Sequence, residues 1–152
     1  MITTIIALIL AMLVCIVATS WKNDMLDSVS EIAYVIPHWS FTIWIALTGI
    51  LIMPDIMEHL PENRQWIGFL CVVGLFLVAA SSYYNTQERV LHYIGGWLCG
   101  ICAMYVVVTV CWYWLFGWAV YVGAMFLCRW CCYTFWCEYT AFCMLCAAML
   151  CR

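Results

Sequence analysis

Apolar segments of about 20 residues recur along this chain, and short polar stretches separate them. A helix that crosses the hydrocarbon core of a bilayer needs about 20 mostly apolar residues. The main polar interruptions are Trp21–Pro37, Pro61–Arg64 and Asn85–Arg89. The pattern predicts an all-α polytopic membrane protein, a transmembrane bundle that forms one domain over residues 1–152. We place its six spans at about 2–20, 38–57, 66–84, 90–110, 113–128 and 131–150.

The composition excludes the common soluble classes. Hydrophobic residues make up 69% of the chain and charged residues 9%, whereas soluble domains carry about 25% charged residues. The 12 cysteines would suit a small disulfide-rich protein, but such proteins are polar and rich in loops. The five Lys and Arg residues are scattered singly and the net charge is −3, so there is no basic patch for nucleic acid.

The last part of the chain, Cys111–Arg152, is one apolar run about twice the length of a span. Gly117, Arg129 and the aromatic residues Trp112–Trp114 and Trp130 interrupt it. Because Trp and Tyr prefer the membrane interface, the aromatic clusters mark the ends of two spans. Five spans remain the alternative, with a re-entrant segment in the last 40 or so residues.

Six spans would bring polar residues from distant parts of the sequence to one side of the membrane. Glu138 lies about seven residues into the last predicted span, roughly 10 Å deep. An ionisable group at that depth is costly and marks a functional site by default. We therefore expect its carboxylate to face the bundle interior, where His92 or His38, each at the start of a span, could meet it. The predicted binding residues on this side are Glu138, His92, His38, Arg89, Ser81 and Ser82.

The alternative for these residues is a structural role. Histidine near a helix end often anchors the helix at the membrane interface. Arg89 would extend its aliphatic chain along the helix so that its guanidinium group reaches water.

The opposite side carries a smaller polar group in the string PDIMEH. Asp55, Glu58 and His59 are spaced i, i+3 and i+4, which places them on one face of a helix. Oxygen and imidazole ligands at that spacing are a weak candidate for a metal site. A solvated helix end is the alternative.

Three pairs of cysteines have the CxxC spacing that binds zinc in soluble loops. Here they stand in apolar helical sequence, where neighbouring Trp, Tyr, Phe, Met and Leu offer little support to a metal ligand. We expect the thiols to pack as small apolar groups, with metal binding or a redox pair as alternatives. The pairs are Cys99/Cys102, Cys128/Cys131 and Cys143/Cys146.

Three glycines open the fourth predicted span: Gly95, Gly96 and Gly100. Small residues let membrane helices approach closely, so the sequence predicts a packing role for them.

Three short motifs occur along the chain in an order that is known from other membrane proteins. The strings SVSEIAYVIPHWSF, GLFLVAASSYY and HYIGG occur before the second span, at the end of the third and at the start of the fourth. Ser30, Glu31, His92 and Gly95 match the positions that define the pattern, whereas Val29, the single Pro37 and the Ser-Tyr pair depart from it. The chain thus resembles the six-span superfamily of the DRAM autophagy modulators and the FGF-receptor-activating-protein group, in its bacterial branch. The resemblance implies a six-helix bundle concerned with membrane lipids.

Three functions follow as hypotheses. The first is a non-enzymatic protein that binds a lipid or amphiphile, or modulates a membrane partner. The second is an intramembrane lipid hydrolase or lipid-modifying enzyme. It would use His92 or His38 as base, a serine (Ser30, Ser81 or Ser82) as nucleophile, and Glu31 or Glu138 to orient the base. The third is a small proton-coupled transporter or channel that titrates Glu138.

The first hypothesis explains the small size and the lack of a nucleophile motif, so we adopt it. No cofactor is expected. The expected partners are membrane lipids, with a second copy of the chain or another membrane protein as alternatives, and no nucleic acid. The opening MITT lacks the positive region of a secretory signal, so we expect a retained first span and a multi-pass protein of the cell membrane.

Overall fold

A computed structural model describes residues 1–81, 85–128 and 132–151. Within these ranges the chain is helical and has no β-strand, which confirms the all-α prediction. Two short 3₁₀ segments, Val29–Glu31 and Glu62–Arg64, lie between the helices. The helices are α1 (Ile2–Lys22), α2 (Ile32–Val35), α3 (His38–His59), α4 (Gln65–Ala80), α5 (Arg89–Leu127) and α6 (Tyr133–Leu150).

The outer surface of the bundle is apolar. Ile9 on α1, Ile50 on α3 and Ile101 on α5 are 51%, 58% and 64% exposed. Large exposed apolar areas are unfavourable in water and suit the hydrocarbon of a bilayer. The chain is therefore a membrane protein. Among the described residues, four helical segments are long and apolar enough to cross a membrane: Ile2–Lys22, His38–His59, Glu62–Ala80 and Arg89–Leu127.

Three differences between the helices and the predicted spans affect the candidate site. The third predicted span runs to 84, but α4 ends at Ala80 and Ser81 is already extended. The fourth and fifth predicted spans lie in one helix, α5, which is interrupted at Cys111 by non-helical backbone angles (φ −155°, ψ 69°). The last helix begins at Tyr133, so Glu138 lies nearer to its start than the sequence predicts.

The second half of α5 runs antiparallel to α6. Trp114 donates its indole N–H to Cys151 Sγ (3.4 Å), just beyond the end of α6. Trp118, four residues later, donates its indole N–H to Thr140 Oγ1 (3.2 Å), in the first half of α6. Later residues of α5 therefore contact earlier residues of α6.

The first half of α5 runs in the same direction as α6. His92 near the start of α5 contacts the first loop, and so does Phe135 near the start of α6. Val107 and Met149, towards the far ends of these segments, pack in one hydrophobic cluster. The chain consequently turns back at the break in α5, as two consecutive spans would. This arrangement favours six spans, and the count itself stays a prediction.

The long helices surround a central space. Helices α1, α3, α4, α5 and α6 pack in that order, and α6 returns to α1 and α3. One hydrophobic cluster, which includes Phe41 and Phe135, lies beside the first loop. A second cluster, which includes Ile56 and Met149, lies towards the opposite end. The described polar residues that carry the candidate site lie at the first-loop end.

The tightest helix contact joins α4 to α5 through two glycines. A methyl group added to Gly74 would lie 2.5 Å from the backbone N of Cys99, and one added to Gly95 would lie 2.8 Å from Gly74 O. Only glycine allows this approach. The predicted packing role is thus confirmed for Gly95, whereas methyl groups at Gly96 and Gly100 would meet nothing within 4 Å.

Replacing Gly74 with alanine should lower the free energy of unfolding by about 1–3 kcal/mol, because the new methyl group strikes backbone that cannot move aside. Thermal unfolding of the protein in detergent micelles measures the change. Gly117→Ala is the matched control, since a methyl group there meets nothing within 4 Å. Equal melting temperatures for the two variants would contradict the close α4–α5 contact.

Candidate functional site

The first loop folds into a short turn with a local cause in the sequence. Ser28 is extended (φ −153°, ψ 162°), and its Oγ accepts a hydrogen bond from the N–H of Glu31 (3.2 Å). This is the usual geometry of a serine N-cap. Glu31 Oε2 in turn accepts a hydrogen bond from the N–H of Asp27 (2.6 Å). The two bonds close the segment Val29–Glu31, which we call the loop turn.

Each residue of the loop turn bonds to a different helix. The Val29 N–H donates to Glu138 Oε2 of α6 (2.7 Å). Ser30 Oγ lies 2.9 Å from His92 Nε2 of α5. Glu31 Oε1 pairs with Lys22 Nζ at the end of α1 (2.9 Å). The loop turn therefore holds three helices together at one end of the bundle.

The surroundings of His92 fix which of its nitrogens carries the proton. The ring is buried, and Nδ1 lies 3.2 Å from the carbonyl oxygen of Ser81. A carbonyl can only accept, so in the neutral ring Nδ1 carries the hydrogen and Nε2 is the acceptor. The Ser30 hydroxyl then donates to Nε2. The Ser81 hydroxyl lies 3.5 Å from Nδ1 and itself donates to the Leu77 carbonyl.

A cavity of about 790 Å³ extends from this cluster into the bundle. Its volume lies within the range of about 300–1,000 Å³ that is typical of small-molecule sites. Ser30, His92 and Glu138 line it. Most of its wall is apolar and includes Phe41, Ile52, Trp97, Met104 and Phe142.

The structure brings together some predicted site residues. His92 and Glu138 line one cavity, but the partner of Glu138 is the backbone of Val29 rather than a histidine side chain. Ser81 lies against His92 as its backbone acceptor. Glu31 pairs with Lys22, so neither predicted carboxylate takes the expected place as the acceptor of His92 Nδ1.

Other predicted residues lie elsewhere. His38 and Arg89 are exposed at the first residues of α3 and α5, and neither is among the described residues that line the cavity. Ser82 lies outside the described residues.

The weak metal candidate is not supported. The buried carboxylate of Asp55 accepts hydrogen bonds from the amino group of Met1, the hydroxyl of Thr3 (3.0 Å), and the N–H (3.2 Å) and hydroxyl of Thr4. His59 Nδ1 donates to the Asp55 carbonyl (2.6 Å). Within residues 1–81, 85–128 and 132–151, no three His, Cys, Asp or Glu side chains are grouped closely enough to hold a metal ion.

The described cysteines are free thiols, and several are packed in the core. Cys71 and Cys146 are fully buried. One thiol contact joins Cys71 Sγ to Cys99 Sγ (3.9 Å), between α4 and α5, and these two cysteines do not belong to the same CxxC pair. Cys131, a member of the second pair, lies outside the described residues.

The sequence did not single out two polar residues of α3. Trp44 and Thr48 line the cavity and are buried, and among the described residues neither Trp44 Nε1 nor Thr48 Oγ1 finds a hydrogen-bond partner. Their i, i+4 spacing places both on one helix face. That spacing could have indicated two polar groups on one face of α3, but the surrounding residues are apolar and the segment resembles an ordinary membrane span.

No family model, curated protein or solved structure matches this chain. The resemblance to the DRAM and FGF-receptor-activating-protein superfamily therefore stays a prediction based on its short motifs.

Replacing Glu138 with alanine should release the loop turn, because the Val29 N–H loses its acceptor. Loss of a hydrogen bond to a charged group costs about 1.5–3 kcal/mol, so exchange of the Val29 amide hydrogen should accelerate by about tenfold or more. Hydrogen exchange followed by mass spectrometry of loop peptides measures it. Glu138→Gln, which keeps an acceptor oxygen, should show a smaller effect, and the exposed Glu62→Ala none. Unchanged exchange in Glu138→Ala would contradict this contact.

Proposed function

We propose that this chain is a multi-pass protein of the cell membrane that binds a lipid or similar amphiphile between its helices and does not chemically change it. The observation that supports the proposal is the distribution of polarity in the cavity. Its lining has hydrogen-bonding side chains beside the loop turn and mainly apolar side chains elsewhere. An amphiphile has the same division between headgroup and tail.

The polar end offers several modes of contact to a headgroup. The Glu138 carboxylate can accept hydrogen bonds beyond the one from Val29, and the Ser30 hydroxyl has lone pairs as well as a proton. The wall of the cavity offers aromatic and aliphatic surface to an acyl chain. Burial of a chain against such surface is favourable by about 0.8 kcal/mol for each CH₂ that leaves water.

The exposed side of α5 supports the proposal, because it would let a lipid enter the cavity from the membrane. Tyr93 and Trp97 of α5 line the cavity and are nevertheless 48% and 70% exposed. Between and beyond them, Gly96 and Gly100 leave open space where a side chain would stand. This side of α5 therefore offers a lateral entrance through which a lipid would pass without leaving the bilayer.

Replacing Gly100 with leucine should fill part of the cavity and keep the fold, because a Cβ atom there meets nothing within 4 Å and the rest of the side chain can extend into the cavity. We expect co-purified lipid to fall by about tenfold, since the tail loses its place. Native mass spectrometry of protein released from gentle detergent measures the bound lipid. Gly123→Leu is the control on the second half of α5, where the space is also open and the cavity is absent. Equal lipid in both variants would contradict the proposed site.

One observation favours a second candidate function, a lipid hydrolase. The 2.9 Å contact between Ser30 Oγ and His92 Nε2 has the geometry of an activated nucleophile and its base. The Ser81 carbonyl holds the Nδ1 hydrogen, as a carboxylate does in the usual triad. In this mechanism Ser30 Oγ attacks the acyl carbonyl while His92 Nε2 takes its proton. His92 then gives the proton to the leaving alcohol, and water hydrolyses the acyl-serine.

A fluorophosphonate probe distinguishes the two candidates, because an activated serine displaces fluoride and forms a bond from Oγ to phosphorus. The hydrolase predicts labelling of Ser30 that falls by at least about a hundredfold in His92→Gln. Ser40→Ala, a serine of α3, should label like the unmodified protein. Absence of labelling at Ser30 in folded protein would remove this candidate and leave lipid binding.

A further inference from the structure

Two buried hydrogen-bonding groups line the cavity and have no partner among the described residues. Trp44 and Thr48 are 8% and 3% exposed and both line the cavity. In the part of the chain that the structure describes, no acceptor or donor lies within hydrogen-bond distance of Trp44 Nε1 or Thr48 Oγ1. An unpaired buried polar group is expensive, and more so where water is scarce.

Other threonines of the spans satisfy their hydroxyls within the protein. Thr42 Oγ1 donates to the Ala79 carbonyl across helices (3.0 Å). Thr109 Oγ1 donates to the Tyr105 carbonyl of its own helix (2.9 Å). Thr48 differs from these two threonines, and its place on the cavity wall suggests that a bound molecule completes its hydrogen bonding.

The chemistry of the two groups restricts what that molecule presents. An indole N–H can only donate, so the atom opposite Trp44 is an acceptor. A hydroxyl can donate to the same atom, and a carbonyl oxygen has two lone pairs to receive both. Trp44 and Thr48 lie six and ten residues after the start of α3, which is roughly 9 and 15 Å along the helix. The acceptor thus lies deeper than a headgroup beside the loop turn.

We propose that the cavity is specific for acyl lipids, with the carbonyl oxygen of the acyl chain accepting hydrogen bonds from Trp44 Nε1 and Thr48 Oγ1. The headgroup then lies beside Ser30, His92 and Glu138, and the tail continues along the apolar wall. This inference rests on the proposed lipid binding and adds the linkage that the site recognises.

The test compares three lysophosphatidylcholines with the same headgroup and chain length but an ester, an amide or an ether linkage. Binding to the full chain in nanodiscs is measured by competition with a fluorescent lipid. The ester and amide lipids should bind about tenfold more tightly than the ether lipid, which has no carbonyl. The amide resists cleavage, so its binding is independent of any hydrolysis.

Variants assign the preference to the two side chains. Thr48→Val removes the hydroxyl at nearly constant size and should reduce the preference for a carbonyl to about threefold, and Trp44→Phe/Thr48→Val should abolish it. Thr109→Val, whose hydroxyl bonds within its own helix, should keep the full preference.

Equal binding of the three lipids would overturn the carbonyl site while leaving lipid binding intact, and would indicate that water satisfies the two donors. A preference that persists in the double variant would also overturn it. Failure of all three lipids to bind would overturn the proposed function and this inference with it.

Discussion

The site depends on the hydrogen bonds of the loop turn. Its three consecutive residues reach α6, α5 and α1 through a backbone N–H, a hydroxyl and a carboxylate. Among the side chains they join, the His92 ring is buried, and a buried hydrogen-bonding group that loses its partner is costly. The three bonds close one end of the bundle and gather its polar groups there, so the cavity acquires a polar end and an apolar wall.

The hydropathy of the sequence predicted the helices within a few residues, because the thickness of a bilayer imposes their length. The aromatic residues Trp112–Trp114, and not hydropathy, predicted the boundary between residues 110 and 113, and the structure interrupts the helix at Cys111. The site was harder to predict. The partner of Glu138 is a backbone N–H, and every residue except proline has one, so no side-chain pattern identifies Val29. The contact between Ser30 and His92 requires the loop to fold inward, which spacing along the chain does not determine.

The glycines of α5 illustrate the same limit. Gly95 and Gly96 are adjacent, and nothing in the sequence distinguishes their roles. In the structure Gly95 packs against α4, whereas Gly96 lines the cavity. Successive residues of a helix point about 100° apart, so neighbours serve different surfaces. Likewise, Asp55 and His59 share the spacing of metal ligands, but Thr3 and Thr4 of α1 supply donors to Asp55. Which face meets which neighbour is a tertiary property, and the sequence pattern alone left it open.

The loop turn lies against α6 at one end of the bundle. A photoreactive p-benzoylphenylalanine in place of Val29, irradiated in intact membranes, tests this contact most directly because it keeps the backbone N–H and reports its nearest neighbour. We expect a cross-link to the peptide that contains residues 133–150, identified by mass spectrometry. Cross-links only to lipid or to other proteins would place the loop outside the bundle and contradict the account.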